Sequence, residues 1–484
     1  MASLTIYQGT QRLTLEFVGQ QPLYQLLEQA GIAIARPCAG RGVCGKCAVI
    51  LSGDVSAPNE AEQAAGTRLA CQAQILGDAQ VWLPEGKDME QIQTEAAVQV
   101  KFGVPMQGKA GAAVDIGTTT VVLRRYDLQT GNVLGESAMA NPQGSIAADV
   151  MGRIGAAMEG QLEKLQRQIQ DAISVLLQRA GGSADCMVIT GNTTMLYLLT
   201  GRDPKRLSCV PFEADCLFDE EITVCGIPAY LPACMNAFVG ADIACATFIS
   251  RMCEGKTTLL CDVGTNGEIA LWKDGTLYVT STAAGPAFEG AGISCGCSSV
   301  RGAIDTVQVC DGQLQLHTIG DAPAVGLCGS GLIDAVAALL KLEWMDETGA
   351  LEDDDVVLAP GVVLTQKDIR SMQLAKAAIA AGIATLLEVS NTDPDEIETL
   401  YLAGGFGSHL NIQSAAAIGL FPEELTDKVK VIGNAALAGA AQLLLNEPNI
   451  ASMRSLAANS KHWNLGGDPR FNNHYMDQMF FPEI

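Results

Sequence analysis

The chain has 484 residues, with 30 basic and 54 acidic side chains and a formal net charge of −24. That balance repels phosphate backbones and anionic lipid heads, and so argues against a nucleic-acid or membrane-surface role. Hydrophobic residues make up 48% and charged residues 17%, which excludes a disordered chain and, at roughly 100–200 residues per domain, predicts more than one core.

No basic segment followed by an apolar run opens the sequence, so no signal peptide is expected. The most apolar stretches, residues 377–387 and 431–445, read as too short or too interrupted to span a bilayer. A cytoplasmic protein without a membrane segment is predicted. Of sixteen cysteines, four stand at Cys38, Cys44, Cys47 and Cys71, and twelve are scattered from Cys186 to Cys328. A reducing compartment disfavours a disulfide framework, so the scattered set reads as core thiols.

Residues 3–7 and 12–18 alternate apolar and polar side chains around the turn-like Gln8-Gly9-Thr10 and predict a hairpin. Helical spacing follows over residues 22–27, then RPCAGRGVCGKC, then the β-like AVILSGDV. This order fits a small β-grasp domain over residues 1–84. Its loop has the spacing Cys38-x5-Cys44-x2-Cys47, with 23 residues between Cys47 and Cys71. Four thiolates are what a 2Fe-2S cluster needs, and the loop glycines let backbone N–H groups approach its sulfurs. Structural zinc is the alternative, but zinc sites usually present paired C-x2–4-C knuckles and only one exists here. The segment resembles ferredoxins of the plant or adrenodoxin type; its five-residue first gap is that of the adrenodoxin branch.

Residues 85–111 are polar with scattered Gly and Pro, and predict a linker. Beyond them lies a duplication: AVDIGTTT at residues 113–120 recurs as LCDVGTNG at residues 260–267. Each copy is an apolar strand, a turn at Asp-x-Gly-Thr, a second strand, a Gly-containing turn and a third strand. Gly117 and Gly264 permit a tight hairpin whose N–H groups cradle phosphate oxygens, with Thr118, Thr119, Thr120, Thr265 and Asn266 adding donors. Asp115 and Asp262 end their strands facing one cleft, where they can hold a hydrated Mg2+.

A third glycine turn, Gly404-Gly405-Phe406, follows an apolar strand and suits an adenosine against bare backbone. The segments around Gly191-Asn192 and Gly433-Asn434 place small residues where helices pack closely. Asp242 reads either as a group orienting a reacting oxygen or as a helix cap. The pair Cys295-x-Cys297 reads as plain thiols, and His317, His409, His462 and His474 as surface or capping residues.

The ordered set resembles the actin, sugar-kinase and Hsp70-type ATPase superfamily over residues 112–445. The resemblance implies an α/β fold of duplicated ribonuclease-H-like lobes, at about 112–258 and 259–445 with a tail to 484, that close on ATP and Mg2+. With the ferredoxin module, the whole chain resembles the reductive activators of corrinoid proteins; residues 284–294 (AGPAFEGAGIS) also look like that family. It implies ATP-assisted transfer of one electron to cob(II)amide on a separate corrinoid protein of a methyltransferase system, an upstream electron donor and a homodimer. No middle domain is expected between linker and ATPase, and the Cys-free tail predicts a single cluster. An electron donor to another low-potential enzyme, a redox-responsive ATP-binding regulator and a small-molecule kinase are the alternatives.

Overall fold

The computed structural model describes residues 2–8, 11–30, 32, 47–65, 67–83, 98–353, 355–404 and 410–482. The alternating N-terminal segments form an antiparallel hairpin of β1 (Ala2–Gln8) and β2 (Gln11–Phe17), paired from Ala2–Phe17 to Gln8–Gln11. A short strand β3 (Gln21–Pro22) leads into α1 (Leu23–Gln29), whose Leu23, Leu26 and Leu27 are fully buried. After β4 (Ala48–Val55), α2 (Glu60–Ala65) and β5 (Arg68–Leu69), β6 (Gln74–Trp82) returns parallel to β1. The sheet runs β2-β1-β6-β4-β5 with β3 paired to β6, and Leu4, Ile6, Val49, Ile75 and Val81 pack with α1 beneath it. A parallel pair between first and last long strands, with one helix across it, is the β-grasp arrangement predicted from element order.

Residues 84–97 lie outside the described residues. Of the segment read as linker, residues 98–109 run along the main body: the Lys101 N–H donates to the Gln442 side chain at 2.7 Å and its carbonyl accepts back at 2.9 Å.

The duplication is visible as two sheets that share five strands of one topology and differ in the sixth, edge strand. In the first lobe β7 (Ala110–Ile116), β8 (Thr120–Asp127) and β9 (Val133–Ala140) form an antiparallel meander. Helices α3 (Val150–Ala156) and α4 (Leu162–Arg179) follow. Strand β10 (Cys186–Gly191) then adds parallel to β7 and leads into α5 (Thr193–Thr200). The hairpin β11 (Glu220–Val224) and β12 (Ile227–Leu231) completes the order β11-β12-β10-β7-β8-β9. Helix α6 (Ala241–Ser250) crosses to the second lobe.

There β13 (Thr258–Val263), β14 (Gly267–Lys273) and β15 (Thr276–Thr282) repeat the meander. An inserted layer holds β16 (Ala303–Cys310), β17 (Gln313–Thr318), β18 (Gly326–Leu327), α7 (Gly329–Lys341), β19 (Asp355–Ala359) and β20 (Val362–Thr365). After α8 (Gln366–Val389), β21 (Thr399–Ala403) adds parallel to β13. Helix α9 (Ile412–Ala417), β22 (Val429–Gly433) and α10 (Ala435–Leu445) follow. Helix α11 (Asn449–Ala458), β23 (Lys461–His462) and α12 (Pro469–Asp477) end the chain, giving the order β22-β21-β13-β14-β15-β23.

One expectation is corrected. Residues 377–387 belong to α8, whose 24 residues are long and apolar enough to cross a membrane by length and composition alone. The helix is instead the core of the second lobe, with 78% of its most apolar stretch buried inside the protein. Its apolar length reflects burial on most sides, which gives the same composition as a span.

Helices α6 and α10 pack against each other between the lobes. A Cβ on Gly439 would stand 2.4 Å from the Cys245 carbonyl oxygen, so only glycine allows the two helices to cross this closely.

Candidate functional site

Both Asp-x-Gly-Thr segments close tight turns at their glycine, the second one residue shorter than the first. The Gly117 N–H donates to the Thr120 carbonyl at 2.9 Å, and the Gly264 N–H to the Asn266 carbonyl at 2.9 Å. A Cβ on Gly117 would meet that Thr120 oxygen at 2.7 Å. Around the first turn the Asn141 side chain donates to the Gly117 carbonyl at 2.8 Å, and Asn192 to the Thr118 hydroxyl at 3.1 Å. The buried Arg153 donates to the Thr118 carbonyl at 2.6 Å.

Strand-to-helix turns bring two asparagines to this place. Asn192 caps α5 after β10, and Asn434 caps α10 after β22. Each also bonds to the first turn or its aspartate, Asn434 donating to Asp115 at 3.1 Å. Gly191, the last residue of β10, precedes Asn192, and a Cβ there would meet the Ile116 carbonyl at 2.7 Å.

Asp115, Asp242 and Asp262 line the cleft half-buried, with Glu268 buried behind them. Burial pushes the Asp115 carboxyl up to about 7; the Asp242 and Asp262 charges add to this, against the hydrogen bond from Asn434. Asp262 is raised to about 7 by burial and then by Asp242. Asp242 is raised to about 6 by burial, opposed by the Ile243 N–H. Burial, then Asp242 and Asp262, push Glu268 well above the usual carboxylate range. Asp242 lies in the first turn of α6, while Gly240 holds the cap position.

Like charges this close cannot all ionise without a compensating cation. Among the described residues no three His, Cys, Asp or Glu side chains converge on a single point as direct ligands. An all-oxygen set of spaced carboxylates fits Mg2+, which keeps several waters between itself and protein.

Gly404, at φ 86, backs this acid group: a Cβ there would lie 2.4 Å from an Asp262 carboxylate oxygen. Gly405 and Phe406 lie outside the described residues.

At the other end of the chain, β4 pairs with β5 and the Ala70 N–H donates to the Cys47 carbonyl at 2.8 Å. This pairing draws buried Cys47 and half-buried Cys71 to one edge of the β-grasp sheet, neither in a disulfide. Cys38 and Cys44 lie outside the described residues. Two thiols with 23 residues between them in sequence, brought to one edge by strand pairing, fit a cluster held by four thiolates.

Cys295 and Cys297 are thiols. His317 is exposed beside Asp305 at 2.6 Å, and His474 lies 2.7 Å from Glu388. His462 is half-buried in the short strand β23. His409 is outside the described residues.

The sequence reading missed three residues. Glu289 accepts from Thr119 of the first turn at 2.7 Å and from Thr265 of the second at 2.8 Å. Its position inside residues 284–294 was the one available signal. Glu268 follows the second turn directly, while nothing local marks Arg153.

Three family models match in succession. The 2Fe-2S iron-sulfur cluster binding domain covers residues 6–76, the RACo middle region residues 110–255, and the C-terminal domain of RACo, the ASKHA domain, residues 256–484. The corrinoid activation enzyme RamQ of Eubacterium limosum is 32% identical over 418 residues, 77% of this chain and 70% of that protein. The chain belongs to the reductive activators of corrinoid proteins.

A second member, the [Co(II) methylated amine-specific corrinoid protein] reductase of Methanosarcina barkeri, is 29% identical over 310 residues, 59% of this chain and 57% of that one. A solved reductive activator for corrinoid, iron-sulfur protein superposes with a TM-score of 0.71 at 25% identity, covering 100% of this chain and 98% of its own. The α/β fold of a 2Fe-2S domain followed by an ASKHA-type ATPase is thus that of the family, and its cofactors are a 2Fe-2S cluster and ATP with Mg2+. The expectation of no middle domain is revised: the family's middle-region model falls on the first lobe, residues 110–255.

Proposed function

We propose that this chain is an ATP-dependent reductive activator of a separate corrinoid protein, reducing cob(II)amide by one electron to cob(I)amide. The observation that carries this is the union, in one chain, of an iron–sulfur module and a two-turn ATPase cleft, aligned over 100% of its length with a solved activator. When bound, the cluster supplies a one-electron donor. An uphill step of ~59 mV costs about 1.4 kcal/mol for one electron, which nucleotide-driven closure offsets.

Cys38, Cys44, Cys47 and Cys71 hold the cluster in this reading. Gly117, Thr118, Thr119, Thr120, Gly264, Thr265 and Asn266 bind the phosphates from both sides of the cleft, with Gly191 and Asn192 supporting the first turn. Asp115 and Asp262 hold hydrated Mg2+, and Asp242 orients the water that attacks the terminal phosphate. Gly404, Gly405 and Phe406 receive the adenosine. Helices α6 and α10 carry the lobe movement. The partner is the corrinoid protein of a methyltransferase system, electrons arrive from an upstream donor, and the activator works as a cytoplasmic homodimer. Its acidic surface suits neither nucleic acid nor an anionic membrane.

The test is anaerobic and optical. Reduced protein is mixed with a cob(II)amide-loaded corrinoid protein, with and without MgATP, and the cobalt absorbance is followed. ATP-dependent appearance of cob(I)amide is expected. Its absence across a panel of methyltransferase corrinoid proteins, with the cluster reduced and ATP bound, would overturn the assignment.

A further inference from the structure

We propose that Glu289 is a phosphate-responsive clasp: its carboxylate competes with the terminal phosphate of ATP for Thr119 and Thr265, and its release moves residues 290–297. This rests on the ATP-binding reading and adds to it a positioning residue that reports nucleotide to the protein surface.

Three observations support it. The two hydroxyls come from opposite lobes, yet both end on one carboxylate, Thr119 at 2.7 Å and Thr265 at 2.8 Å. Carboxylate and phosphate oxygens are equivalent acceptors for a hydroxyl, so an incoming phosphate and Glu289 cannot both be satisfied by the same two donors. Glu289 also carries its charge into the field of Arg153, the buried cation that donates to the Thr118 carbonyl. A polyanion entering the cleft therefore repels the Glu289 carboxylate and competes with it for the field of Arg153, so the carboxylate loses the attraction that holds it in.

The third observation is mechanical. Glu289 ends the single turn Pro286–Glu289, and Gly290 follows at φ 71. A Cβ on Gly290 would stand 2.3 Å from the Cys297 carbonyl, and one on Gly296 2.2 Å from the Gly290 carbonyl. With backbone against backbone, the turn cannot shift without residues 296–297. Farther along, the Ser294 N–H and hydroxyl donate to Asp368 at 2.7 and 3.1 Å, on the capping box that starts α8. The segment is thus held at one end by the phosphate turns and at the other by a buried carboxylate, while Gly292 and Ser294 face solvent. Releasing Glu289 frees the first anchor only.

The experiment uses the full-length, cluster-loaded protein. MgATP and MgADP affinities are measured by calorimetry, and backbone hydrogen exchange of residues 286–297 is followed with each nucleotide, for wild type, Glu289→Ala, Glu289→Gln and Thr119→Val. In wild type, exchange rises with MgATP and not with MgADP. In Glu289→Ala it is high throughout, and the preference for ATP over ADP increases at least about fivefold, the low end of typical coupling. Glu289→Gln keeps an acceptor without the charge, so its loop stays protected until MgATP binds more tightly than in wild type. Thr119→Val removes one arm and raises basal exchange. A purely hydrolytic role for Glu289 predicts slower turnover with unchanged exchange and unchanged ATP-over-ADP preference; that result overturns the clasp alone. Failure of wild type to bind MgATP overturns the underlying reading as well.

Discussion

Asn434 donates its side-chain N–H to Asp115 at 3.1 Å across 319 residues of chain, while its side-chain oxygen accepts from the Leu437 N–H at 2.8 Å. One side chain therefore caps an interlobe helix and holds the aspartate behind the first phosphate turn. Movement of α10 and the state of that carboxylate are mechanically joined.

The carboxylate cluster makes Mg2+ binding pH-dependent. Asp115 and Asp262 at about 7 and Asp242 at about 6 lie above the unfolded aspartate value of about 3.9. The folded protein keeps protons that the unfolded chain has lost between about pH 4 and 7. Their contribution to stability is whole below about pH 4 and declines as pH climbs toward 7. Mg2+ prefers the ionised forms, so its affinity should rise by roughly tenfold per pH unit for each proton displaced, and level off above about pH 7. Calorimetry in buffers of different ionisation enthalpy should find proton release near pH 6 and almost none near pH 8. Proton uptake at the lower pH would contradict this.

The cluster prediction concerns Cys71. Cys71→Ser should bleach the visible iron–sulfur absorbance and abolish electron delivery, leaving MgATP affinity unchanged. Among the described residues the ferredoxin sheet and the ATPase sheets share no strand, so loss of ATP binding in this variant would show that the two units do not fold independently.

Glycine at position 439 is required by the α6–α10 crossing. Gly439→Ala places a methyl 2.4 Å from the Cys245 oxygen and should destabilise by about 1–3 kcal/mol, as overpacking does. Gly155→Ala in α3 meets nothing within 4 Å and should instead stabilise by roughly 0.5–1 kcal/mol. Urea midpoints of the two variants should move in opposite directions.

The C-terminal segment is held by Lys376. Its ammonium donates to the Gln478 and Phe480 carbonyls at 2.7 and 2.6 Å and lies 5.5 Å from the centre of the Phe481 ring. Lys376→Met keeps the volume but leaves two carbonyls without this donor, and should cost about 1–3 kcal/mol. Limited proteolysis should cut residues 478–482 sooner than in wild type. Equal cutting rates would show that the remaining contacts, among them the Gln373 amide donating to the Met479 carbonyl at 2.8 Å and the Phe481 N–H to the Glu347 carbonyl at 2.8 Å, suffice to hold the segment.

Local pattern determined much of this protein. Alternation in the first hairpin, the cysteine spacing and the repeated Asp-x-Gly-Thr turns are short-range, and the physics that shapes a turn or a strand acts over a few residues. Tertiary structure alone decided the partners. Glu289 meets Thr119 across 170 residues and Asn434 meets Asp115 across 319, distances at which no periodicity carries information. The same holds for α8, whose composition is that of a bilayer span until the second lobe closes around it. Burial and neighbouring charge, which set the acidity of Asp115, Asp242, Asp262 and Glu268, exist only once two sheets 147 residues apart face one cleft.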